Sequence, residues 1–406
     1  MTQREESHGY RDPDTTIGMN VADPVDCLTN LPGLLGHYPD ESLVLVIGDI
    51  DLEQPGPILV RTLDGDELGA VRHAAREMAD EGHERADVYV ISRTWDFIVD
   101  GAPSPLPLVA DVISEAGLEV VHFAGVHRLR AGEAVVDIDG GELGAIGDPV
   151  RCWASQRLHD SGEAIAADAE ALHDRFRPEP AAFRIGAGEA LRRANADVRE
   201  PRRGGRTTRN SGSAASAASA DGDAMAEVRS HHLEWLELVA AVDRGDVSAD
   251  DALTAPQHLR TLARPLVSLL LRDMTMGVIL GAAAPTARAL WLGCARLFRG
   301  TARANALACY AIDRCVHGSP SIAKAALDAA LETDPGHSLS QLLLAAMSSG
   351  RGEEALRSML EATEDIIGAV HPDGAGHFDD GGHLDFLGPD DDDAPPPGGF
   401  RGTGRA

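Results

Sequence analysis

Near the middle of the chain, one stretch contains no large apolar side chain. It reads EPRRGGRTTRNSGSAASAASADGD and ends at Asp223. A segment of this composition cannot bury enough surface to offset the entropy that ordering would cost. We therefore expect a flexible linker over residues 199–224, with a folded domain on each side of it.

The part before the linker, residues 21–198, alternates short apolar runs with helical periods, which is typical of an α/β domain. The pattern predicts a mixed sheet of about five strands with helices on at least one face. Two later helices, near residues 159–176 and 188–198, are expected to close this domain. The strand-like runs are SLVLVIG (42–48), PILVRT (57–62), ADVYVISR (86–93), LEVVHFA (118–124) and a hairpin within HRLRAGEAVVDID (127–139).

The part after the linker, residues 225–370, contains helical periods and almost no strand signal, so it predicts an all-α domain. Within it, Ala323 and Ala330 lie on either side of Leu327, and Pro335 follows at a turn. These offsets match the second half of a tetratricopeptide repeat, where small residues let two helices approach closely. A single unit cannot form a solenoid, so we expect a repeat-like helix pair inside a bundle.

Both ends of the chain lack apolar periodicity and are expected to be disordered: residues 1–20, and an acidic Gly-, Asp- and Pro-rich tail over 371–406. The polar, acidic start is unlike a secretory signal, and no long uncharged apolar run occurs, which indicates a cytoplasmic protein without a membrane span. Three tail histidines recur every six residues, but glycine-rich spacers give them no fixed geometry. We predict no metal site and no cofactor. The histidines are His371, His377 and His383.

Charge narrows the classes of partner. The chain has 65 acidic and 36 basic residues, a formal charge of −29, so most of its surface repels polyphosphate. Nucleic-acid binding would require the arginine-rich linker to overcome that charge, and we do not expect it. The five cysteines form no C-x-x-C pair, which fits reduced thiols better than a disulfide framework or a zinc finger.

The densest polar segment, GHYPDES, leads into the first predicted strand, and Arg61 ends the second. If the two strands pair, Arg61 could lie near Asp40 or Glu41, with the Ser42 hydroxyl at the same end of the sheet; we select Asp40, Ser42 and Arg61 as the candidate site. A guanidinium and a hydroxyl there could hold a small anionic ligand such as a phosphate or a carboxylate. The alternative is a turn stabilised by side-chain bonds to backbone, with a surface ion pair.

Two segments, DCLTNLPGLLGHYPDESLVLVIGD and SIAKAALDAALETDPGHSLSQLLLAA, resemble an actinobacterial family of uncharacterised proteins, domain of unknown function 4192. The resemblance covers most of residues 21–350. It implies an architecture and an intracellular setting, and no chemistry. The chain departs from the usual pattern at His37-Tyr38 and in the Thr-Leu-Asp after Arg61. The matching residues are Pro32, Leu34, Leu35, Gly36, Pro39, Ser42, Leu43, Val44, Asp334, Pro335, Ser338 and Leu339.

These observations favour a cytoplasmic protein that acts in binding or assembly, not in catalysis, with a protein partner held by the helical domain. The competing interpretation is an enzyme or a sensor of a small anionic ligand that uses Asp40, Ser42 and Arg61. A concave pocket of convergent polar groups would favour the second, and an apolar patch on the helical domain would favour the first.

Overall fold

The computed structural model describes residues 19–20, 22–47, 58–63, 67–80, 82–94, 106–137, 140–181, 186–198, 214–349 and 351–372. Most of the residues for which the sequence predicts disorder lie outside these ranges. They are the N-terminal segment up to residue 18, the first part of the linker (199–213) and the tail beyond residue 372. Those predictions, and the division into domains that rests on them, stay predictions.

A six-stranded mixed sheet forms the centre of the N-terminal part, which confirms the predicted α/β character with one strand more than expected. The strands are β1 (Ser42–Ile47), β2 (Ile58–Thr62), β3 (Arg85–Ile91), β4 (Glu119–Val126), β5 (Ala134–Asp137) and β6 (Glu142–Ala145). Their order in the sheet is β2-β1-β3-β4-β5-β6. Only the pair β3 and β4 is parallel, and the other neighbours are antiparallel.

Strand β1 lies between β2 and β3, so these two strands run parallel to each other but are not adjacent. All six residues of β1 are buried, whereas β2 is only half-buried. An uninterrupted apolar run such as SLVLVI is typical of a central strand, and the less apolar β2 takes the edge. The chain therefore pairs β1 antiparallel with both neighbours.

Helices cover both faces of the sheet. They are α1 (Pro24–Leu35), α2 (Glu67–Asp80) and α3 (Leu106–Glu115). One apolar cluster joins α2 and α3 to side chains such as Leu43 and Val88, and the other joins α1 to Val44 and Tyr89. Because successive residues of a strand point to opposite faces, strands β1 to β5 each contribute to both clusters.

The remaining described chain is helical. No helix within the described ranges is both long and apolar enough to cross a membrane. A short 3-10 helix spans Met276–Leu280. The α-helices are α4 (Trp153–Asp160), α5 (Ala169–Asp174), α6 (Ala187–Asp197), α7 (Ala214–Asp243), α8 (Ala249–Thr254), α9 (Pro256–Val267), α10 (Leu269–Thr275), α11 (Ala284–Leu297), α12 (Gly300–Val316), α13 (Pro320–Thr333), α14 (Ser338–Ser348) and α15 (Gly352–Val370).

Helices α5 and α6 belong to the helical core, although the sequence predicts that they close the sheet domain. Leu172 and Phe176 pack in one cluster with residues of α11, α12 and α13, as do Ala190 and Ala194. An amphipathic period shows that a helix buries one face, but it does not show which neighbour covers that face. Apolar packing therefore places these two helices with the C-terminal helices.

Helix α7 begins at Ala214, inside the stretch that the sequence assigns to the linker. The segment from 214 to 221 is composed of Ala and Ser with a single Asp. Alanine has the highest intrinsic helix propensity, so a stretch with no apolar stripe can still continue a helix toward its N-terminus. The absence of large apolar side chains indicates a lack of buried surface and does not by itself indicate a lack of secondary structure.

The predicted repeat-like pair corresponds to α13 and α14, which are separated by residues 334–337. Ala323, Leu327 and Ala330 are fully buried, as expected for small and apolar side chains at a helix seam. Both α12 and α14 pack against α13. The likeness of this pair to a tetratricopeptide repeat stays a prediction.

Candidate functional site

The three residues selected from the sequence lie near one edge of the sheet. Strand β1 begins at this edge, whereas β2, β3 and β4 end there. In open α/β sheets, ligands bind outside the carboxyl ends of the parallel strands. The position of the predicted site therefore agrees with where such sheets bind ligands.

The backbone register separates Ser42 from Arg61. Ser42 lies opposite Thr62, and Arg61 lies opposite Leu43. Residues directly opposite each other share a face, and successive residues alternate between faces. Ser42 and Arg61 are therefore on opposite faces of the sheet, and Arg61 is on the face covered by α2 and α3.

Asp40 and Ser42 form local contacts. The Ser42 hydroxyl donates to the Asp40 carbonyl oxygen at 2.8 Å, as in a turn stabilised by its own side chains. The Asp40 carboxylate pairs with the guanidinium of Arg93 at 2.6 Å, and Arg61 Nη1 donates to the Val60 carbonyl oxygen at 3.3 Å. The ion pair at this edge thus involves an arginine at the end of β3.

Glu41, which the sequence analysis places beside Asp40 but not among the site residues, accepts three hydrogen bonds through its carboxylate at this edge. Ser92 Oγ donates to Glu41 Oε2 at 2.6 Å, and Thr94 Oγ1 donates to the same oxygen at 3.1 Å. The backbone N–H of Arg93 donates to Glu41 Oε1 at 2.8 Å. Three consecutive residues after β3 thus surround one carboxylate with donors.

The backbone of Glu41 is strained, with a φ of 43°. It is the one non-glycine residue with positive φ in the described part of the chain. Such a conformation costs on the order of 1–3 kcal/mol and persists only where the surroundings impose it. Strained residues cluster at ligand sites and switches, so this edge is a stronger candidate site than the local contacts of Ser42 suggest.

The hydrogen bonds also decide the charge of Glu41. Partial burial alone would raise the pKa of its carboxyl group, but the donors of Ser92, Arg93 and Thr94, together with the Arg93 charge, lower it below the ordinary value. Glu41 is therefore a carboxylate at neutral pH. The sequence contains one signal for these donors. The triplet Ser92-Arg93-Thr94 directly follows a buried strand and therefore lies at the carboxyl edge of the sheet.

A second polar cluster is buried where the segment after α4 meets the helical core. Arg288 and Arg314 both donate to Asp313 Oδ2, and Arg314 does so through Nε at 3.1 Å. All three side chains are almost completely buried. Arg314 Nη1 continues to Ser161 Oγ at 3.0 Å, and Arg288 also donates to the Ser161 carbonyl oxygen.

Glu163 extends this cluster. Tyr310 OH donates to its Oε1 at 2.8 Å, and Arg175 Nη1 donates to its Oε2 at 3.1 Å. The cluster therefore links residues 161–175 to α11 and α12 by charge-assisted hydrogen bonds. Its charged groups pair with one another inside the protein, which indicates a structural role, although Asp313 Oδ1 and Arg314 Nη2 are buried without a hydrogen-bond partner among the described residues.

Four of the five cysteine thiols are poor candidates for nucleophiles. Burial raises the pKa of Cys27, Cys309 and Cys315 to about 12, and it also raises the pKa of Cys294. Reactive cysteines are instead partly exposed, with a lowered pKa that yields the thiolate. Cys294, Cys309 and Cys315 behave as small apolar residues of the helical core.

The histidines of the predicted tail lie mostly outside the described residues. His377 and His383 are not described, and His371 is buried with its Nε2 3.0 Å from Nδ1 of His232. Among the residues that the structure describes, no group of three or more His, Cys, Asp and Glu side chains could hold a metal ion.

Among the helices that the structure describes, α14 has the most exposed large apolar side chain. Its sequence, SLSQLLLAAMS, contains no charged residue, and only Ser340 and Leu343 are buried. Leu342 is 69% exposed, and Ala345, one turn later, is also exposed. The other exposed side chains of this face, those of Ser338, Gln341 and Ser348, are polar but carry no charge. An uncharged outer face centred on Leu342 is therefore a candidate contact surface.

Comparison with known proteins identifies the family. The model of a domain of unknown function (DUF4192) matches residues 24–353, and the chain belongs to this family. The match includes both the sheet edge around Glu41 and helix α14. No curated protein and no solved structure matches the chain.

Proposed function

We propose that this chain is a cytoplasmic, non-catalytic binding or assembly protein that holds a protein partner on its helical part. The observation that carries the proposal is the outer face of α14, where Leu342 is 69% exposed on a helix without charges. An exposed apolar side chain on an uncharged face can be buried by a partner without desolvating a charge.

Charge identifies the chemistry of the partner. Helix α15 packs beside α14 and exposes five carboxylates and one arginine. Together with the formal charge of −29, this favours a partner that presents an apolar side chain surrounded by basic residues. The carboxylates of α15 are Glu353, Glu354, Glu361, Glu364 and Asp365.

The Leu342→Gln variant tests the proposal. We expect its stability to stay within about 0.5 kcal/mol of the parent, because the side chain is exposed. Its affinity for the partner should fall at least about tenfold, because an apolar contact at the centre of an interface is lost. The measurement is quantitative capture of basic proteins from cell extract by the immobilised full chain, in low and high salt.

Leu108→Gln is the matched control, since Leu108 is 55% exposed on α3, in the sheet part. It should capture the same protein as the parent. Equal capture by the Leu342→Gln variant, or a captured protein that is acidic and insensitive to salt, would contradict the proposal.

A second candidate function is a sensor of a small anionic ligand at the sheet edge near Asp40, Ser42 and Arg61. The observation that favours it is the strained Glu41 at the carboxyl ends of β2, β3 and β4. Arginines at the ends of β2 and β3 could attract an anion to this edge.

Arg61→Ala tests the role assigned to that residue. We expect the affinity for inorganic phosphate to fall at least about tenfold, with a stability change of no more than about 1 kcal/mol, because Arg61 is a partly exposed residue of the edge strand β2. Titration calorimetry and urea unfolding measure the two quantities. The control is Arg72→Ala, a half-exposed arginine of α2. Unchanged phosphate affinity would remove Arg61 from the site.

A further inference from the structure

We propose that Ser92, Arg93 and Thr94 form a binding cradle for an oxyanion, which the chain's own Glu41 carboxylate fills in the structure described here. The expected ligand is a small phosphate or carboxylate compound that displaces Glu41. This inference rests on the second candidate function, an anion sensor at the sheet edge, and names the donors and the regulation of that site.

The donors have the arrangement that an oxyanion requires. Two hydroxyls and one backbone N–H from three consecutive residues reach the two oxygens of one carboxylate at 2.6–3.1 Å. Carboxylate and phosphate oxygens are interchangeable acceptors for such donors. The Ser92 hydroxyl also accepts from the Thr94 backbone N–H at 3.2 Å, which fixes the turn that presents the donors.

A cationic side chain, that of Arg93, lies beside the cradle. The Arg93 guanidinium pairs with Asp40 at 2.6 Å, and both side chains are about half exposed, at 51% and 42%. A pair this exposed exchanges partners at little cost. The guanidinium can therefore turn from Asp40 to a bound phosphate, for which its planar geometry is well suited.

The backbone of Glu41 favours its displacement. With its carboxylate in the cradle, Glu41 has a φ of 43°, a conformation that residues other than glycine rarely adopt. Departure of the carboxylate releases that constraint, and the freed group moves into water from a partly exposed position. The strain thus lowers the cost that an incoming anion must meet. Glu41 acts as an internal competitor that limits binding to ligands present at sufficient concentration.

The test compares the parent with Glu41→Gly and with the double variant Glu41→Gly/Thr94→Val. Glycine accepts the left-handed φ and removes the competing carboxylate. Calorimetric titration of the full chains with inorganic phosphate should show at least about tenfold tighter binding by Glu41→Gly than by the parent. The double variant should lose most of that gain. Ribose 5-phosphate and acetate, titrated in parallel, distinguish a phosphate monoester or a carboxylate from the free ion.

Equal phosphate affinity of the parent and Glu41→Gly, or no effect of Thr94→Val, would overturn the cradle. If Glu41→Gly does not fold, Glu41→Gln replaces it, since the amide keeps the size and removes the charge, and the same gain is required. Loss of phosphate binding in Arg61→Ala together with full binding in Thr94→Val would leave the second candidate function standing and reject the cradle alone. Failure of every variant to bind any of the three anions would reject both.

Discussion

Replacement of Asp313 by alanine should lower the free energy of unfolding by about 3–5 kcal/mol. The Asp313 side chain is completely buried, and it accepts hydrogen bonds from Arg288 and Arg314, which are themselves almost completely buried. Removal of the carboxylate leaves the buried Arg288 without its counter-charge, and it leaves Arg314 with Glu163 at 3.8 Å as its remaining one. Urea unfolding of the full chain, followed by circular dichroism, measures the change.

Asp328→Ala is the matched control, because it removes the same side chain from the neighbouring helix α13. Its partner is Lys324, at 2.8 Å, and both groups are exposed to water. An exposed pair of this kind contributes at most about 1 kcal/mol. A loss of less than about 1 kcal/mol in Asp313→Ala would show that the two arginines find other partners or water, and that the cluster does not fix residues 161–175 to α11 and α12.

The local pattern of apolar and polar residues is sufficient to predict the α/β character of the N-terminal part. SLVLVI and ADVYVI are β-rich runs of strand length, and turn residues or helical periods bound them. Helical periodicity likewise predicts that α2 and α3 are helices with one buried face, and this face packs on the sheet. These features depend on neighbours within about a dozen residues, the range over which local propensity and alternation act.

Helix α1 was not predicted, because two of its residues normally interrupt helices. Pro32 and Gly33 both lie inside Pro24–Leu35. The signals at its start are nevertheless favourable. Asp23 accepts hydrogen bonds from the first-turn amides, and Pro24 is the first helical residue, where a missing N–H breaks no helical hydrogen bond. Burial against the sheet outweighs the unfavourable propensity, and that burial is a tertiary property.

The candidate site shows the same limit. The sequence analysis selects Asp40 and Ser42 because they are close along the chain, and the two residues do contact each other. The donors to Glu41 come from Ser92, Arg93 and Thr94, more than fifty residues away. Their approach depends on β3 pairing with β1, and β1 occupies that place because the most apolar strand takes the centre of the sheet. Strand order is decided by the whole sheet, so no local pattern could have placed this carboxylate.

Gly33→Ala should destabilise the protein by about 3 kcal/mol, the upper end of the usual cost of overpacking, or more. A Cβ atom at this position would lie 2.3 Å from the backbone nitrogen of Ser155 and 2.5 Å from the carbonyl carbon of Ala154. Both are backbone atoms of α4, so no side-chain rotation can remove the clash, and α1 and α4 must move apart. Urea unfolding measures the loss, and the free energy is compared at the same temperature.

Gly368→Ala is the control for this prediction, since it makes the same change inside helix α15, where an added Cβ has nothing within 4 Å. Alanine loses less backbone entropy than glycine in a helix, so this variant should gain about 0.5–1 kcal/mol. The two variants are thus expected to change stability in opposite directions. If Gly33→Ala is as stable as the parent, α1 does not rest on α4 at that distance. The packing that holds α1 in place would then have to come from its apolar contacts with sheet residues such as Val44 and Tyr89.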